Sequence, residues 1–254
     1  MPIIPHDPTE LLMHSHHTLP KNCKKYWDHR YLLFSKFDEG VYMNSELWYS
    51  VTPENIALFL AKLFYYCYPE AETIMDVFSG GGGNTIQFAR YFPKVLALER
   101  NGTNIFCTQN NTRVYGVQEK VSFIHADWVE FAQQQEEIKR LSSTVDIIFS
   151  SPPWGGPGYV KNKTFDLDLL QPAPLKAILQ TFLRITNHVG LFLPRNSNLD
   201  QLAEATRELL GEEARCRVVY VNLQGYCKGI VALWGPKFMT SEQETNGGAE
   251  ELPY

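Results

Sequence analysis

No apolar run in this chain of 254 residues approaches the ~20 residues that a bilayer-spanning helix needs. The N-terminus has no basic flank followed by an apolar stretch, so a secretory leader is not expected. Cysteine is scarce. Cys23, Cys67, Cys107, Cys216 and Cys227 stand far apart, with no Cys-x-x-Cys pair. That spacing argues against a disulfide framework or a zinc site and for reduced thiols in cytosol or nucleus. An excess of positive charge is also missing. A net charge of −5 argues against gripping long nucleic acid over the whole surface. It leaves room for a few Lys and Arg that hold a nucleotide or an RNA end. His14, His16 and His17 cluster in a proline-containing leader, where a solvated, disordered segment is expected rather than a metal site. No internal repeat is visible.

What is present suits one soluble α/β domain with modest extensions: 44% hydrophobic and 20% charged residues. Residues 1–21 read as an irregular leader, 22–70 as a helical extension, 71–238 as the main domain and 239–254 as a disordered acidic tail. In the extension, Lys24–Phe37 reads as a helix. Thr52-Pro53-Glu54 starts another, running to about Tyr66, with a capping hydroxyl, a proline at the first helical position and an acid in the first turn. Strand patterns follow at Thr73–Phe78, Val95–Glu99, Val121–His125, Val145–Ser150 and Val189–Leu193. Between them run helices at Asn84–Tyr91, Thr103–Tyr115, a polar stretch ending near Arg140, and Leu169–Leu183, with Leu199–Leu210 after the fifth strand. Arg217–Leu223 and Gly229–Trp234 form a hairpin. The expected fold is a doubly wound, mostly parallel seven-stranded sheet with the antiparallel hairpin at one end.

The chemistry-bearing residues fall at strand ends. Ser151-Pro152-Pro153-Trp154 follows the fourth strand. The prolines have no N–H and cannot extend the ladder, yet their carbonyls remain as acceptors where open α/β sheets bind ligands. Acceptors for an exocyclic amine beside a stacking aromatic suit methylation of an amino group on a flat base. The plainer alternative is a proline turn that ends a strand. After the first strand comes Asp76-Val77-Phe78-Ser79, then Gly80-Gly81-Gly82-Gly83-Asn84. The glycines allow a tight turn and close backbone approach to a ligand. A dinucleotide loop of the G-x-G-x-x-G type started at Gly80 would need glycine at 85, where Thr85 stands. The Asp76 carboxylate also suits the ammonium of S-adenosylmethionine and would repel a pyrophosphate. A purely structural turn is the remaining alternative. Glu99 ends the second strand and could accept from both ribose hydroxyls, or simply cap the next helix. Asp127-Trp128 follows the third, where the acid could accept from an adenine amine and the indole cover the ring. Alternatively these are a helix cap and a core aromatic. Arg195, past the fifth strand, could clamp phosphate or make a structural ion pair. Lys24-Lys25 could add a second phosphate contact or be solvated.

Taken together, the chain resembles the trimethylguanosine synthase family, RNA cap guanosine-N2 methyltransferases. The resemblance runs from about Lys25 to Gly235. It rests on Lys25-Tyr26-Trp27, on Leu33–Asp38 (LFSKFD), on Trp48–Glu54 (WYSVTPE) and on Gly80–Phe88 (GGGGNTIQF). Asn110-Asn111 with Val114-Tyr115-Gly116, Ser151–Pro157 (SPPWGGP) and Phe192–Asn196 (FLPRN) complete it. It implies a class I methyltransferase-like fold with an N-terminal helical extension. It implies S-adenosylmethionine held by Asp76, Gly80, Asn84, Glu99, Asp127 and Trp128, helped by Phe34 and Thr52 from the extension. Trp154 would stack on 7-methylguanine, with Ser50, Asn111, Ser151 and Pro152 lining the base pocket, and Lys25 and Arg195 on the cap phosphates. Ser151, Pro152 and Trp154 would be the catalytic set, with no metal. Two positions depart from animal relatives: Glu99 where they carry Asp, and Ser79 where they carry Cys. The implied partners are 7-methylguanosine-capped small nuclear and nucleolar RNAs with ribonucleoprotein or accessory proteins, without a membrane. The implied location is nuclear, chiefly nucleolar, with the cytoplasm as a second site. Two other readings stay open: a base-amine methyltransferase for internal RNA or DNA positions, and a non-enzymatic cap-binding module.

Overall fold

The computed structural model describes residues 12–21, 23–156, 158 and 163–240. The first part of the expected leader, Pro157 of the SPPWGGP segment and the acidic tail from residue 241 lie outside the described residues. In chain order the elements begin with a 3-10 turn (Lys24–His29), α1 (Arg30–Leu33), a second 3-10 turn (Phe37–Glu39), α2 (Leu47–Ser50) and α3 (Glu54–Cys67). Then come β1 (Thr73–Val77), α4 (Gly83–Tyr91), β2 (Lys94–Glu99), α5 (Gly102–Val114), β3 (Val121–His125), α6 (Trp128–Phe131) and α7 (Gln135–Ser142). The chain closes with β4 (Ile147–Ser150), α8 (Leu175–Leu183), β5 (Val189–Leu193), α9 (Leu199–Leu210), β6 (Arg217–Leu223), β7 (Tyr226–Trp234) and α10 (Pro236–Thr240).

The sheet has seven strands in the order β3-β2-β1-β4-β5-β7-β6, with β7 antiparallel to both neighbours and the other pairings parallel. This is the doubly wound arrangement expected from the strand and helix order. β1 is buried along its whole length, as a central parallel strand with helices on both faces must be. The chain turns from one half of the sheet to the other between β1 and β4. There the carboxyl ends of the strands open a crevice.

One apolar cluster fills the face under α6, α7, α8 and α9, and a second fills the face under α3 and α4. α3 is therefore part of the main core, although it belongs to the N-terminal extension by sequence. Gly190 of β5 shows how closely it packs: a Cβ there would lie 2.2 Å from the Phe64 ring of α3. The rest of the extension forms a third cluster around Phe34, Phe37, Leu47 and Trp48, seated on Ile86 of α4 and Cys107 of α5. All five cysteines are unbridged. Among the described residues no helix is long and apolar enough to cross a membrane.

Three sequence expectations are corrected. Lys24–Phe37 is not one helix. It breaks at Phe34, whose backbone is extended (φ −143, ψ 111), and this lets the Ser35 amide reach the Glu54 carboxylate at 2.6 Å. The helix expected from Leu169 begins only at Leu175, because Pro172 and Pro174 lack N–H groups and push their predecessors out of helical geometry. The described part of the leader is irregular as expected, with His16 and His17 exposed, but it is also docked. Leu19 is buried, His14 packs edge-on to Trp48, and His16 packs edge-on to Trp27.

Candidate active site

The loop between β1 and α4 is crowded against its neighbours at two glycines. Gly82 has φ 87, and a Cβ on it would fall 2.6 Å from Thr108 of α5. Gly81 has Leu47 and Val51 of the extension pressed against it, so a Cβ would meet Leu47 at 2.9 Å. The loop is thus held from both sides. The Thr108 hydroxyl donates to the Gly80 carbonyl at 2.7 Å.

Asp76 sits beneath this loop, 1% exposed. Thr85, one turn into α4, donates its hydroxyl to Asp76 Oδ2 at 2.5 Å. Asp76 Oδ1 is buried and has no partner among the described residues. Burial, reinforced by the nearby Glu99 carboxylate and opposed by the Thr85 bond, pushes the Asp76 carboxyl up to about 7. Two more buried oxygens at the loop have no partner among the described residues, Ser79 Oγ and Asn84 Oδ1, while Asn84 Nδ2 donates to Thr52 of the extension at 3.0 Å. Unpaired buried acceptors cost free energy, so a cluster of them marks a place where a ligand supplies donors. The ammonium of S-adenosylmethionine is such a donor, and this chain's residues fit it.

The other predicted cofactor residues are placed as follows. Glu99 is 7% exposed and accepts from the backbone amides of Gly80 (2.9 Å) and Asn101 (2.8 Å). Burial holds its carboxyl above the usual glutamate range, against these two amides. It ties the end of β2 to the glycine loop. Asp127 caps α6 by accepting from the Val129 amide at 2.8 Å and lies 3.6 Å from Arg100. Trp128 is 2% exposed, packs against Phe131 and Phe182, and donates its indole N–H to Thr181 at 2.9 Å. Phe34 is buried in the extension's own cluster, 6.2 Å from the Tyr115 ring.

At the other half of the crevice, β4 ends in Ser150, whose buried hydroxyl has no partner among the described residues. Ser151 is half-buried, Pro152 is buried, and the Pro153 carbonyl accepts from the Gln171 amide at 3.1 Å, which anchors the turn. Trp154 is half-buried with its ring 5.5 Å from Phe192 of β5. Gly155 and Gly156 follow with φ 77 and 82 and open space beyond them. Arg195 is exposed, with Nη1 donating to the Cys227 carbonyl at 3.3 Å. From the extension, Ser50 is exposed and donates to the Glu46 carbonyl, and Lys25 is exposed with its ammonium 4.9 Å over the Tyr26 ring.

Asn111 has another setting. It is fully buried on α5, accepts from the Tyr42 amide (2.7 Å), and donates to the carbonyls of Tyr42 (2.9 Å) and Gly81 (3.0 Å). Its amide is spent on clamping the extension to the glycine loop. Sequence reasoning missed Thr85 as the Asp76 partner, Thr108 as the loop anchor, and the contact of Glu54 with Ser35 and Tyr115. The only signal for Thr85 was that it spoiled a dinucleotide motif. Among the described residues no group of three or more His, Cys, Asp or Glu is arranged to hold a metal ion.

A glycine loop over a buried strand-end acid, in a sheet of this order, defines an S-adenosylmethionine-dependent methyltransferase. Solved structures share the fold. A human methyltransferase 10 domain containing protein aligns with TM-score 0.55 at 11% identity, covering 84% of this chain and 98% of that one. The S-adenosylmethionine-dependent methyltransferase from Agrobacterium tumefaciens aligns with TM-score 0.53 at 18% identity, covering 74% and 63%. Residues 71–237 match the RNA cap guanine-N2 methyltransferase family, and the chain belongs to it. It is 46% identical over 226 residues to the trimethylguanosine synthase of Saccharomyces cerevisiae, covering 87% of this chain and 71% of the relative. Against the trimethylguanosine synthase of Schizosaccharomyces pombe the identity is 40% over 217 residues, covering 82% and 89%. The chain is accordingly a cap guanine-N2 methyltransferase that uses S-adenosylmethionine.

Proposed function

We propose that the chain converts 7-methylguanosine caps to 2,2,7-trimethylguanosine on small nuclear and nucleolar RNAs, in the nucleus and chiefly the nucleolus, alongside ribonucleoprotein proteins. The observation that carries the site assignment is that two unlike devices follow adjacent strands. Buried Asp76 with its unpaired Oδ1 ends β1, and the open Ser151–Trp154 turn ends β4. S-adenosylmethionine supplies an electrophilic methyl group when bound. Asp76 accepts from its ammonium, Asn84 and Thr52 flank it, and Glu99 meets the ribose while keeping Gly80 in place. Asp127 takes the adenine amine. Trp128 backs that end from the core, and Phe34 acts on the site only indirectly, by packing the extension's own cluster.

On the acceptor side Trp154 stacks on the base. A purine methylated at N7 is cationic, so the indole gains a cation–π contribution of up to ~2 kcal/mol when desolvated. Ser151 and the Pro152 carbonyl accept from the exocyclic amine, whose lone pair is otherwise delocalised into the ring, and so turn that lone pair toward the methyl. Ser50 borders the pocket, and Asn111 acts on it indirectly by holding Gly81 and Tyr42. Lys25 and Arg195 take the phosphates. Alignment of this kind can contribute up to ~7–11 kcal/mol to the rate. The nitrogen that Ser151 and the Pro152 carbonyl align would take the methyl group as its bond to the cofactor's sulfur breaks, and the proton on the alkylated nitrogen would pass to water. The test is mass spectrometry of a 7-methylguanosine cap analogue incubated with protein and S-adenosylmethionine. Two added methyl groups are expected. Transfer to an uncapped oligonucleotide instead, or none to either, would overturn the reading.

A further inference from the structure

The β6–β7 hairpin is not needed for any step above, yet its tip stands at the catalytic end of the sheet. The last pair between β5 and β7 is Leu193 with Ile230, and β7 continues outward from there to Tyr226. At ~3.4 Å per residue the tip projects about 13 Å past the end of β5. Tyr226 there is 69% exposed, and the Lys228 ammonium lies 5.7 Å from its ring centroid. Cys227 between them accepts from Arg195. The tip also shares a face with Phe192, the ring neighbour of Trp154. Tyr226 pairs directly with Leu223, which packs with Phe192 in the cluster under α3 and α4, while Trp154, 5.5 Å from Phe192, sits at the sheet end against the clusters of both faces. From Arg217 to Trp234 the hairpin contains no Asp or Glu, although the chain carries a net charge of −5.

We infer that this hairpin tip is a binding ledge for the first transcribed nucleotide of the capped RNA, whose base stacks on Tyr226 while Lys228 meets its phosphate. The inference rests on the proposed site, in which Trp154 takes the cap base and Arg195 the phosphate bridge. The next nucleotide lies beyond that bridge, on the side where Tyr226 stands. A single exposed aromatic is ordinary on a protein surface. An exposed aromatic with a cation over it, one residue from the backbone that holds Arg195, is the combination that single-stranded nucleic acid sites use.

The test compares kcat/KM for 7-methylguanosine triphosphate and for a 7-methylguanosine-capped pentanucleotide in the wild type, Tyr226→Ala, Tyr226→Phe, Lys228→Ala and Tyr220→Ala. The wild type should prefer the capped pentanucleotide by roughly tenfold, the size of one stacking contact. Tyr226→Ala should erase most of that preference through KM. Tyr226→Phe should keep it, because stacking needs the ring and not the hydroxyl. Lys228→Ala should weaken it and flatten its salt dependence. Tyr220 is 55% exposed but pairs with Ile230 toward the opposite face, so Tyr220→Ala should leave the preference intact. Equal use of both substrates by the wild type, or an unchanged preference in Tyr226→Ala, overturns the inference while the proposed function stands. Methylation of neither substrate overturns the proposed function and the ledge with it.

Discussion

Around the carboxyl ends of β1 and β2, side chains are buried and mostly bonded, whereas around β4 and β5 several stand open. Asp76, Asn84 and Glu99 are each buried and tied to neighbours on other elements. Trp154 is half-buried and Arg195 exposed, and Trp154 is followed by two glycines facing empty space. The cofactor has one shape and returns at every turnover, so rigid oxygens held in advance suit it. In the site proposed above, the acceptor is the end of a long molecule that must enter and leave, which suits the accessible half. The extension belongs to the first style. Leu47, Val51 and Thr52 press on the glycine loop, and Asn111 bonds both parts together.

If the two halves are separable, Asp76→Ala should break only one of them. A charge-assisted bond of ~1.5–3 kcal/mol would be lost, so S-adenosylmethionine affinity should fall roughly 10- to 150-fold. Calorimetric titration should show cap affinity unchanged, and a parallel loss of cap binding would dissolve the comparison. Trp154→Ala is the mirror experiment. Cap affinity should fall about 30-fold, corresponding to the ~2 kcal/mol available to a desolvated cation–π contact, with cofactor affinity held. Equal loss of both would make Trp154 a structural support of the Phe192 face.

A smaller effect follows from protonation. The Asp76 carboxyl, pushed up to about 7, must be ionised to meet an ammonium. S-adenosylmethionine affinity should therefore rise as pH rises toward 7 and level off above it, a change of about tenfold for each unit on the acid side. The apo protein should respond in the opposite sense. The folded state holds this proton more tightly than the unfolded chain, so its stability contribution is present at low pH and lost as pH climbs through 7. Asp76→Asn should flatten both curves. Persistence of the binding curve in that variant would assign it to another group. The smallest effect belongs to the exposed cations. Lys25→Ala should weaken cap binding by no more than about fivefold, and less in high salt, since an exposed ammonium is well screened. Isothermal titration at two salt concentrations would check this.

Much of this is legible in the sequence, and the reason differs from part to part. The strand and helix order follows from local apolar periodicity. The stops at Pro152 and Pro153 follow from a missing N–H, and the β1 turn from glycines that accept positive φ. Such signals act within a few residues and survive in any tertiary setting. The single helix expected over Lys24–Phe37 failed because its fate depends on Glu54, which bonds Ser35 across 19 positions of sequence. Trp128 shows the same limit from another side. Its identity could not say whether the ring meets a ligand or Phe182, and the structure shows it against Phe182 with its N–H given to Thr181.

By itself, then, the sequence determined the doubly wound order, the glycine loop beside a strand-end acid, the Ser-Pro-Pro-Trp turn and the resemblance that unites them. Tertiary structure alone decided that the extension clamps the loop through Asn111, that Asp76 is buried deeply enough to hold a proton near neutrality, and that Tyr226 comes to stand near Arg195. Burial and partners from distant positions create these properties, and topology rather than local propensity brings those partners together.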